Sequence, residues 1–350
     1  MDTPLDAGAK LGHGRYTLSR RLGHGAVGTV WLARDEQLGE DVAVKLLIPA
    51  LAHNPAAVDD LRRETVKSRK LSHPHIVRTY ELFQHENEPA FIVLEFVDGV
   101  SLHALRERQE NRCVRWDYLQ RLARQMCAAL AHAHEQKIIH RDFKPANLMV
   151  NTQGNLKLVD FGIAASAANT LGQVTTNMGN SGTPRYMSPQ QLEGKPPRPT
   201  DDIYSLGATL YELLVSQPPF HPEDGLSHPG GLIAKIRTVP PKPIEQRQAE
   251  LRINNPVPPH VAAAIMACLA KDPDERPTTA KAVAAAMGLG EPENVTAKPV
   301  PNGQAATASV MHSVAAKASP GFQRGLTIGL AVAALIAALA LLAIKLMAGK

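Results

Sequence analysis

Residues 140–147 read His-Arg-Asp-Phe-Lys-Pro-Ala-Asn, and Asp160-Phe161-Gly162 begins eighteen residues after Asp142. Asp142 offers a carboxylate to take the proton of a hydroxyl nucleophile, and Lys144 an ammonium to offset charge on a moving phosphoryl group. Asn147 and Asp160 offer hard oxygen ligands of the kind magnesium takes, with manganese as an alternative ion. Moving a phosphoryl group asks a protein mainly for positioning and charge compensation, and this set supplies both. Asp160-Phe161-Gly162 alone would read as a turn. In this order and spacing the two strings point to ATP-dependent phosphoryl transfer.

Upstream lies a second group of residues that suits phosphates. Gly23-His24-Gly25-Ala26-Val27-Gly28-Thr29-Val30 is a glycine-rich turn between strand-like runs, where missing Cβ atoms let backbone approach a phosphate. No Gly-Lys-Ser/Thr follows, and the next element reads as a strand, so neither a Walker loop nor a dinucleotide fold is implied. Lys45, in Val42-Ala43-Val44-Lys45, is awkward among small apolar residues without a charged partner. Glu64, nineteen residues on, is the candidate.

The hydrophobic patterning changes along the chain. Leu18–Leu22, Thr29–Ala33, Val42–Ile48 and Phe91–Phe96 are β-prone runs, with one charged helix, Asp59–Leu71, among them. Further on, Leu119, Leu122, Met126, Leu130 and Ala133 recur at helical spacing, as do Ile203, Leu206, Leu210, Leu213 and Leu214. A small β-rich lobe followed by a larger helical lobe, with a cleft between, is an α+β arrangement. His132 and His134 point about 200° apart on a helix and do not share a ligand site easily, while His140 belongs to the motif at 140–147. His73-Pro74-His75 reads as a turn into the next strand.

Together these residues resemble the protein kinase family, specifically the bacterial Ser/Thr type similar to the eukaryotic (Hanks-type) enzymes, from about Tyr16 to Met287. The resemblance implies a bilobal fold, ATP and Mg2+ as cofactors, and Ser/Thr hydroxyls of proteins as acceptors. It places Gly23, Gly25 and Gly28 over the phosphates, flanked by Leu22 and His24, and pairs Lys45 with Glu64. Val30, Ala43, Leu94, Val97 and Met149 would line the adenine pocket, with the backbone of Glu95 and Val97 as the hinge. Thr183, in Gly182-Thr183-Pro184-Arg185-Tyr186-Met187-Ser188-Pro189, would contact Asp142 and Lys144. Asp202 would anchor the backbone of the loop around Asp142, and Arg276 would brace the segment ending at Pro189. Arg141 would hold a phosphate on Thr175 or Thr176, added by autophosphorylation. Two positions depart from the family. Gln190 stands where a carboxylate should face Arg276, and Ser68 stands where an apolar residue is usual.

The bulk composition adds limits. The chain has 350 residues and a net charge of +5, with no long basic block and no ladder of aromatics among basic residues, which argues against nucleic acid as a partner. Its three cysteines, Cys113, Cys127 and Cys268, are too few and scattered for a disulfide framework or a zinc site. Between Arg324 and Lys345 lie twenty uncharged residues, Gly325 to Ile344, which as a helix would rise about 30 Å, enough to cross a bilayer core. The expected organisation is therefore a tail (1–15), a catalytic domain (16–287), a Pro/Ala/Ser/Thr-rich linker (288–324), a transmembrane helix (325–347) and a short tail (348–350). ATP is cytosolic, which puts the domain on the cytoplasmic face of the inner membrane as a single-pass protein, where two copies meeting in the plane would favour phosphorylation in trans. The alternatives are a membrane-tethered pseudokinase scaffold and a kinase of small hydroxylated molecules.

Overall fold

The protein is described by a computed structural model covering residues 5–25, 28–52, 54–85, 88–161, 184–221 and 229–290. Gly162, Thr175, Thr176, Gly182 and Thr183, with the linker from 291 and the apolar segment 325–347, lie outside the described residues. The chain divides into two units, Met1–Glu293 and Asn294–Lys350, and all that follows concerns the first.

The first lobe is an antiparallel sheet of six strands: β1 (Lys10–Leu11), β2 (Tyr16–Gly25), β3 (Gly28–Asp35), β4 (Glu40–Leu47), β5 (Thr79–His85) and β6 (Glu88–Glu95), in spatial order β1-β2-β3-β4-β6-β5. Side chains alternate across a strand, and here both faces are covered. Val42, Val44 and Leu46 join Trp31, Phe91 and Val93 on one side. Ala43 and Leu47 join Ile92, Leu94 and the helix residues Ala57 and Leu61 on the other. Lys45 falls in register with Ala43 and Leu47, which explains why an ammonium is only 5% exposed there. At Gly28 a Cβ would come within 1.7 Å of the Leu46 carbonyl oxygen, so only glycine lets β3 start against β4.

Two short helices, α1 (Pro49–Ala52) and α2 (Pro55–Ser68), follow β4. The sequence reading placed the latter at Asp59–Leu71; the helix starts four residues earlier because Asn54 caps it, accepting from the Ala56 and Ala57 N–H groups, with Pro55 at the first turn. It is also less exposed than expected, since Ala57, Val58, Leu61, Thr65 and Ser68 are buried.

The second lobe is helical and includes α3 (Leu102–Glu107), α4 (Trp116–Glu135), α5 (Pro189–Leu192), α6 (Pro199–Val215), α7 (Pro229–Thr238), α8 (Ile244–Glu250), α9 (Pro259–Cys268) and α10 (Ala280–Ala286). α6 is buried from Thr200 to Val215 and forms its axis. At Gly207 a Cβ would sit 2.6 Å from that of Cys268, so the missing methyl lets α6 and α9 pack at close range. A three-stranded sheet, β7 (Gly99–Ser101), β8 (Leu148–Asn151) and β9 (Leu156–Leu158), begins before α3 and resumes after α4 in sequence, with Asn147 and Asp160 just outside its last two strands.

The lobes are tied at the turn after α2. The Val77 N–H donates to the Leu158 carbonyl at 3.0 Å, and the Leu158 N–H to His75 at 2.9 Å. Beside this seam the His73 ring stacks on His132 of α4 at 5.1 Å and meets His75 edge-on at 5.4 Å. Burial, then the charges of His75, His132 and Lys157, push the His73 imidazole down to about 4, with Glu135 pulling the other way. The unfolded chain would therefore hold a proton at His73 that the folded chain does not, between its ordinary pKa near 6.5 and about 4. Stability is expected to fall as pH drops from about 6.5 to about 4, with a slope of up to ~1.4 kcal/mol per pH unit from this group. Urea midpoints of wild type and His73→Gln across that window check this: the variant should show the shallower slope.

Candidate active site

Asp142 is held on the 140–151 segment by bonds that follow from that sequence. His140 is fully buried and acts as the spindle of the loop. Its Nδ1 accepts the Asp142 N–H at 3.3 Å and its Nε2 lies 2.9 Å from the Val159 carbonyl oxygen. Its ring lies edge-on to Phe161 at 4.7 Å, linking the two halves of the motif. Arg141 and Asp160 adopt left-handed φ values of 67° and 64°. Such conformations cost non-glycine residues about 1–3 kcal/mol and persist where the surroundings enforce them.

At Arg141 the enforcing group is Asp202 on α6. Its carboxylate, fully buried, accepts the N–H groups of His140 at 2.8 Å and Arg141 at 2.9 Å and the Nε2 of His134 at 2.7 Å. Burial would raise its pKa, but the bond and charge of His134, the charge of His140 and the backbone bond outweigh that and hold the carboxyl low. The anchoring role expected of Asp202 is the geometry observed. His134, considered in the sequence only as a metal ligand, is the third arm of this anchor.

Around Asp142 the expected set converges. Lys144 Nζ lies 2.8 Å from its carboxylate, and the Asn147 amide nitrogen donates to Asp142 Oδ2 at 2.9 Å and to its carbonyl at 2.8 Å. The Asn147 amide oxygen has no hydrogen bond among the described residues and so suits a cation. Asp160 is a quarter exposed and spends one oxygen on Lys45, at 2.7 Å. Burial pulls its pKa up, yet the Lys45 charge and bond, with His140 and Lys144 behind them, keep it below the ordinary range. The Val159 N–H donates to the Asn147 carbonyl at 3.0 Å, which brings Asn147 beside Asp160, and two such oxygen donors suit a hard divalent cation.

Lys45 and Glu64 do not pair. Lys45 is taken by Asp160, while Glu64 bonds to Lys67 at 2.9 Å, one turn further along the same helix. A neighbour at i+3 captures the carboxylate locally, whereas Lys45 is buried and takes the nearest charge able to neutralise it. Ser68, also on this helix, is buried and donates to the Thr65 carbonyl at 3.1 Å instead of adding apolar surface.

The adenine-lining set is partly assembled. Val30, Ala43, Leu94 and Val97 belong to one apolar cluster, together with Val159. Met149 stands on β8 opposite Lys157, half-buried and outside that cluster. Glu95 ends β6, its N–H donating to the Arg78 carbonyl at 2.9 Å. In the glycine-rich hairpin Leu22, Gly23, His24 and Gly25 are exposed, and His24 Nδ1 lies 2.9 Å from the Thr29 hydroxyl.

Gln190 meets Arg276 as expected, its Oε1 accepting from Nη2 at 2.6 Å. The amide is used at both ends, since its Nε2 donates to the Lys271 carbonyl at 2.9 Å. Arg276 also donates to the carbonyls of Ala270 and Thr200, and burial lowers its pKa despite Asp201 nearby. Gln190→Glu gains a charge-assisted bond and loses the one to Lys271. The expected net is about 1 kcal/mol of stabilisation, or roughly 2–4 °C in melting temperature for a domain of this size. A scanning calorimetry trace showing no rise would mean that the amide braces Arg276 as well as a carboxylate would.

A buried network escaped the sequence reading. Arg106 of α3 pairs with Glu212 of α6, which also accepts the Tyr186 hydroxyl. The signal was present: Glu212 is the one acid in the otherwise greasy run from Ile203 to Val215.

Residues 16–286 match the sequence profile of the protein kinase domain. The chain belongs to the protein kinase family. It is 37% identical over 273 residues to Serine/threonine-protein kinase PknB of Mycolicibacterium smegmatis, covering 76% of this chain and 41% of that protein. To Serine/threonine-protein kinase PrkC of Bacillus subtilis it is 35% identical over 272 residues, covering 77% and 39%. The chain thus spans about two-fifths of the length of these relatives. The kinase domain of Mycobacterium tuberculosis PknI has the same fold, with a TM-score of 0.62 at 23% identity, covering 82% of this chain and 99% of that one. Such relatives make this a kinase of the bacterial, eukaryotic-like branch, with the two-lobed fold that the sequence implied.

Proposed function

We propose that this kinase transfers the γ-phosphate of ATP to Ser and Thr hydroxyls of proteins. The observation that carries it is the shared Asp142 carboxylate, with Lys144 on one oxygen and Asn147 on the other. Asp142 would receive the acceptor hydroxyl's proton as the new O–P bond forms and the bond to the leaving ADP oxygen breaks. Lys144 would offset charge on the group in transit, and Lys45 would hold the phosphates once Asp160 is drawn away. Asn147 and Asp160 would hold magnesium, which when bound would supply neutralisation of phosphate charge.

The same proposal includes autophosphorylation at Thr175 or Thr176, with Arg141 as the receiving cation, and pairing of Lys45 with Glu64 in the phosphorylated form. It also includes a membrane tether through Gly325–Ile344, with the domain on the cytoplasmic side, and trans-phosphorylation between two copies in the plane. Supporting the tether are its length and lack of charge. A nucleotide-binding scaffold without turnover is the second reading, favoured by Lys45 sitting on Asp160 while Glu64 is drawn to Lys67. An acceptor panel separates the readings: Ser/Thr peptides, Tyr peptides and small alcohols, each with labelled ATP and magnesium. Label on Ser/Thr peptides alone is the expected result; label on small alcohols alone, or none anywhere, would refute it.

A further inference from the structure

A cavity of about 360 Å3 lies at the seam between the lobes, lined by Ser72, His73, Arg78, Tyr80, Glu95 and Lys157. Apart from Glu95 at the end of β6, none of these residues has a part in the transfer chemistry. The walls bring two cations together from different lobes, Arg78 just before β5 and Lys157 on β9. The single carboxylate is already committed. Glu95 Oε1 accepts Lys157 Nζ at 2.6 Å, and Oε2 accepts the Arg78 backbone N–H at 3.1 Å. The exposed Arg78 guanidinium is left with no ion pair among the described residues.

The lining carries two cations against one carboxylate, with the half-buried His73 beside them. A Ser72 hydroxyl and a Tyr80 ring, 41% exposed, complete the lining. The volume exceeds that of a bare oxyanion and suits one carried on an organic stem. A guanidinium, an ammonium and a hydroxyl around one space match the three acceptor oxygens of a phosphate ester.

We propose that this cavity binds a phosphate monoester, its oxygens meeting Arg78, Lys157 and Ser72 and its organic part lying against Tyr80. Lys157 would then be shared between the ligand and Glu95, so binding here and binding of nucleotide beside Glu95 influence each other reciprocally. The ester has two sources of identical chemistry. One is a small soluble phosphomonoester. The other is a phosphorylated Ser or Thr side chain of another protein. Neither binding nor its main test depends on the transfer activity.

The test is calorimetric titration of phosphothreonine into the full-length, phosphatase-treated protein, with the nucleotide cleft saturated by a non-hydrolysable ATP analogue. Binding is expected for phosphothreonine and not for threonine, weakened at least tenfold by Arg78→Ala and several-fold by Tyr80→Ala. Both positions are exposed, so unchanged melting temperatures should accompany the loss. Equal affinity in wild type and Arg78→Ala, or no binding at all, overturns the proposal and sends any phosphate to another cation such as Arg141. Titrating a phosphothreonine peptide beside the free amino acid assigns the source: tighter binding of the peptide identifies a phosphorylated protein segment, and equal binding identifies a soluble ester.

Discussion

Asp142→Asn is expected to lower peptide phosphorylation by about 10²–10⁴-fold, the range lost when a positioned proton acceptor is removed. The substitution is close to isosteric, and the packing that fixes the loop does not run through the Asp142 carboxylate. His140, Asp202 and Phe161 hold the backbone from the other side. An amide at 142 still accepts Lys144 at its oxygen, but it cannot take a proton from a hydroxyl. Nucleotide affinity should therefore change by no more than a few-fold, since the phosphate contacts fall to Lys45 and the glycine-rich hairpin. Steady-state kinetics alongside fluorescent-nucleotide titration separate the two effects. A variant that keeps more than a tenth of wild-type turnover would show that proton removal is not the task of this carboxylate.

Asp202→Ala is expected to be the most damaging single change to the domain. Asp202 sits with no exposure inside α6, and its loss orphans two backbone N–H groups and His134 Nε2 at once. Breaking a buried, hydrogen-bonded charge typically costs about 3–5 kcal/mol. For a domain of this size that is a fall of roughly 10 °C in melting temperature. The left-handed backbone at Arg141 then loses what enforces it, so activity should fall further than the share of unfolded protein explains. Asp202→Asn keeps the shape and one acceptor, and should recover part of the stability. Thermal melts with activity per folded molecule check both parts, and a mild loss for Asp202→Ala would mean that α6 does not hold the loop. Because His134 and His140 keep this carboxyl low, its stabilising contribution is present above the ordinary carboxylate range and lost as pH falls through the lowered pKa.

Much of this was legible in the sequence, for physical reasons. The β-prone run Val42–Ile48 set Lys45 among small apolar residues where it needs a charged partner, and the motif at 140–147 carried its own hydrogen-bond partners within five residues. Arg276 with Gln190, and Asp202 with the backbone at 140–141, followed from the family resemblance and match the geometry. What the sequence did not disclose depends on competition between near-equal partners. Glu64 had a choice between Lys45 across the cleft and Lys67 one turn away, and nothing in the spacing says which wins. The early start of α2 rested on Asn54 as a cap, a local bond that apolar periodicity does not register. The Arg106–Glu212–Tyr186 network joins three distant segments, and only the isolated acid in a greasy helix hinted at it. The cavity at the seam arises from the fold alone, because Ser72, Arg78, Glu95 and Lys157 come from three separate stretches.

The most direct test of phosphoryl transfer to protein hydroxyls is incubation of the full-length chain, in membranes, with labelled ATP and magnesium, followed by phosphoamino-acid analysis. Phosphothreonine or phosphoserine on the wild type and none on Asp142→Asn is the predicted result. Absence of label on both, with nucleotide still bound, would contradict it and leave a scaffold that holds ATP without spending it.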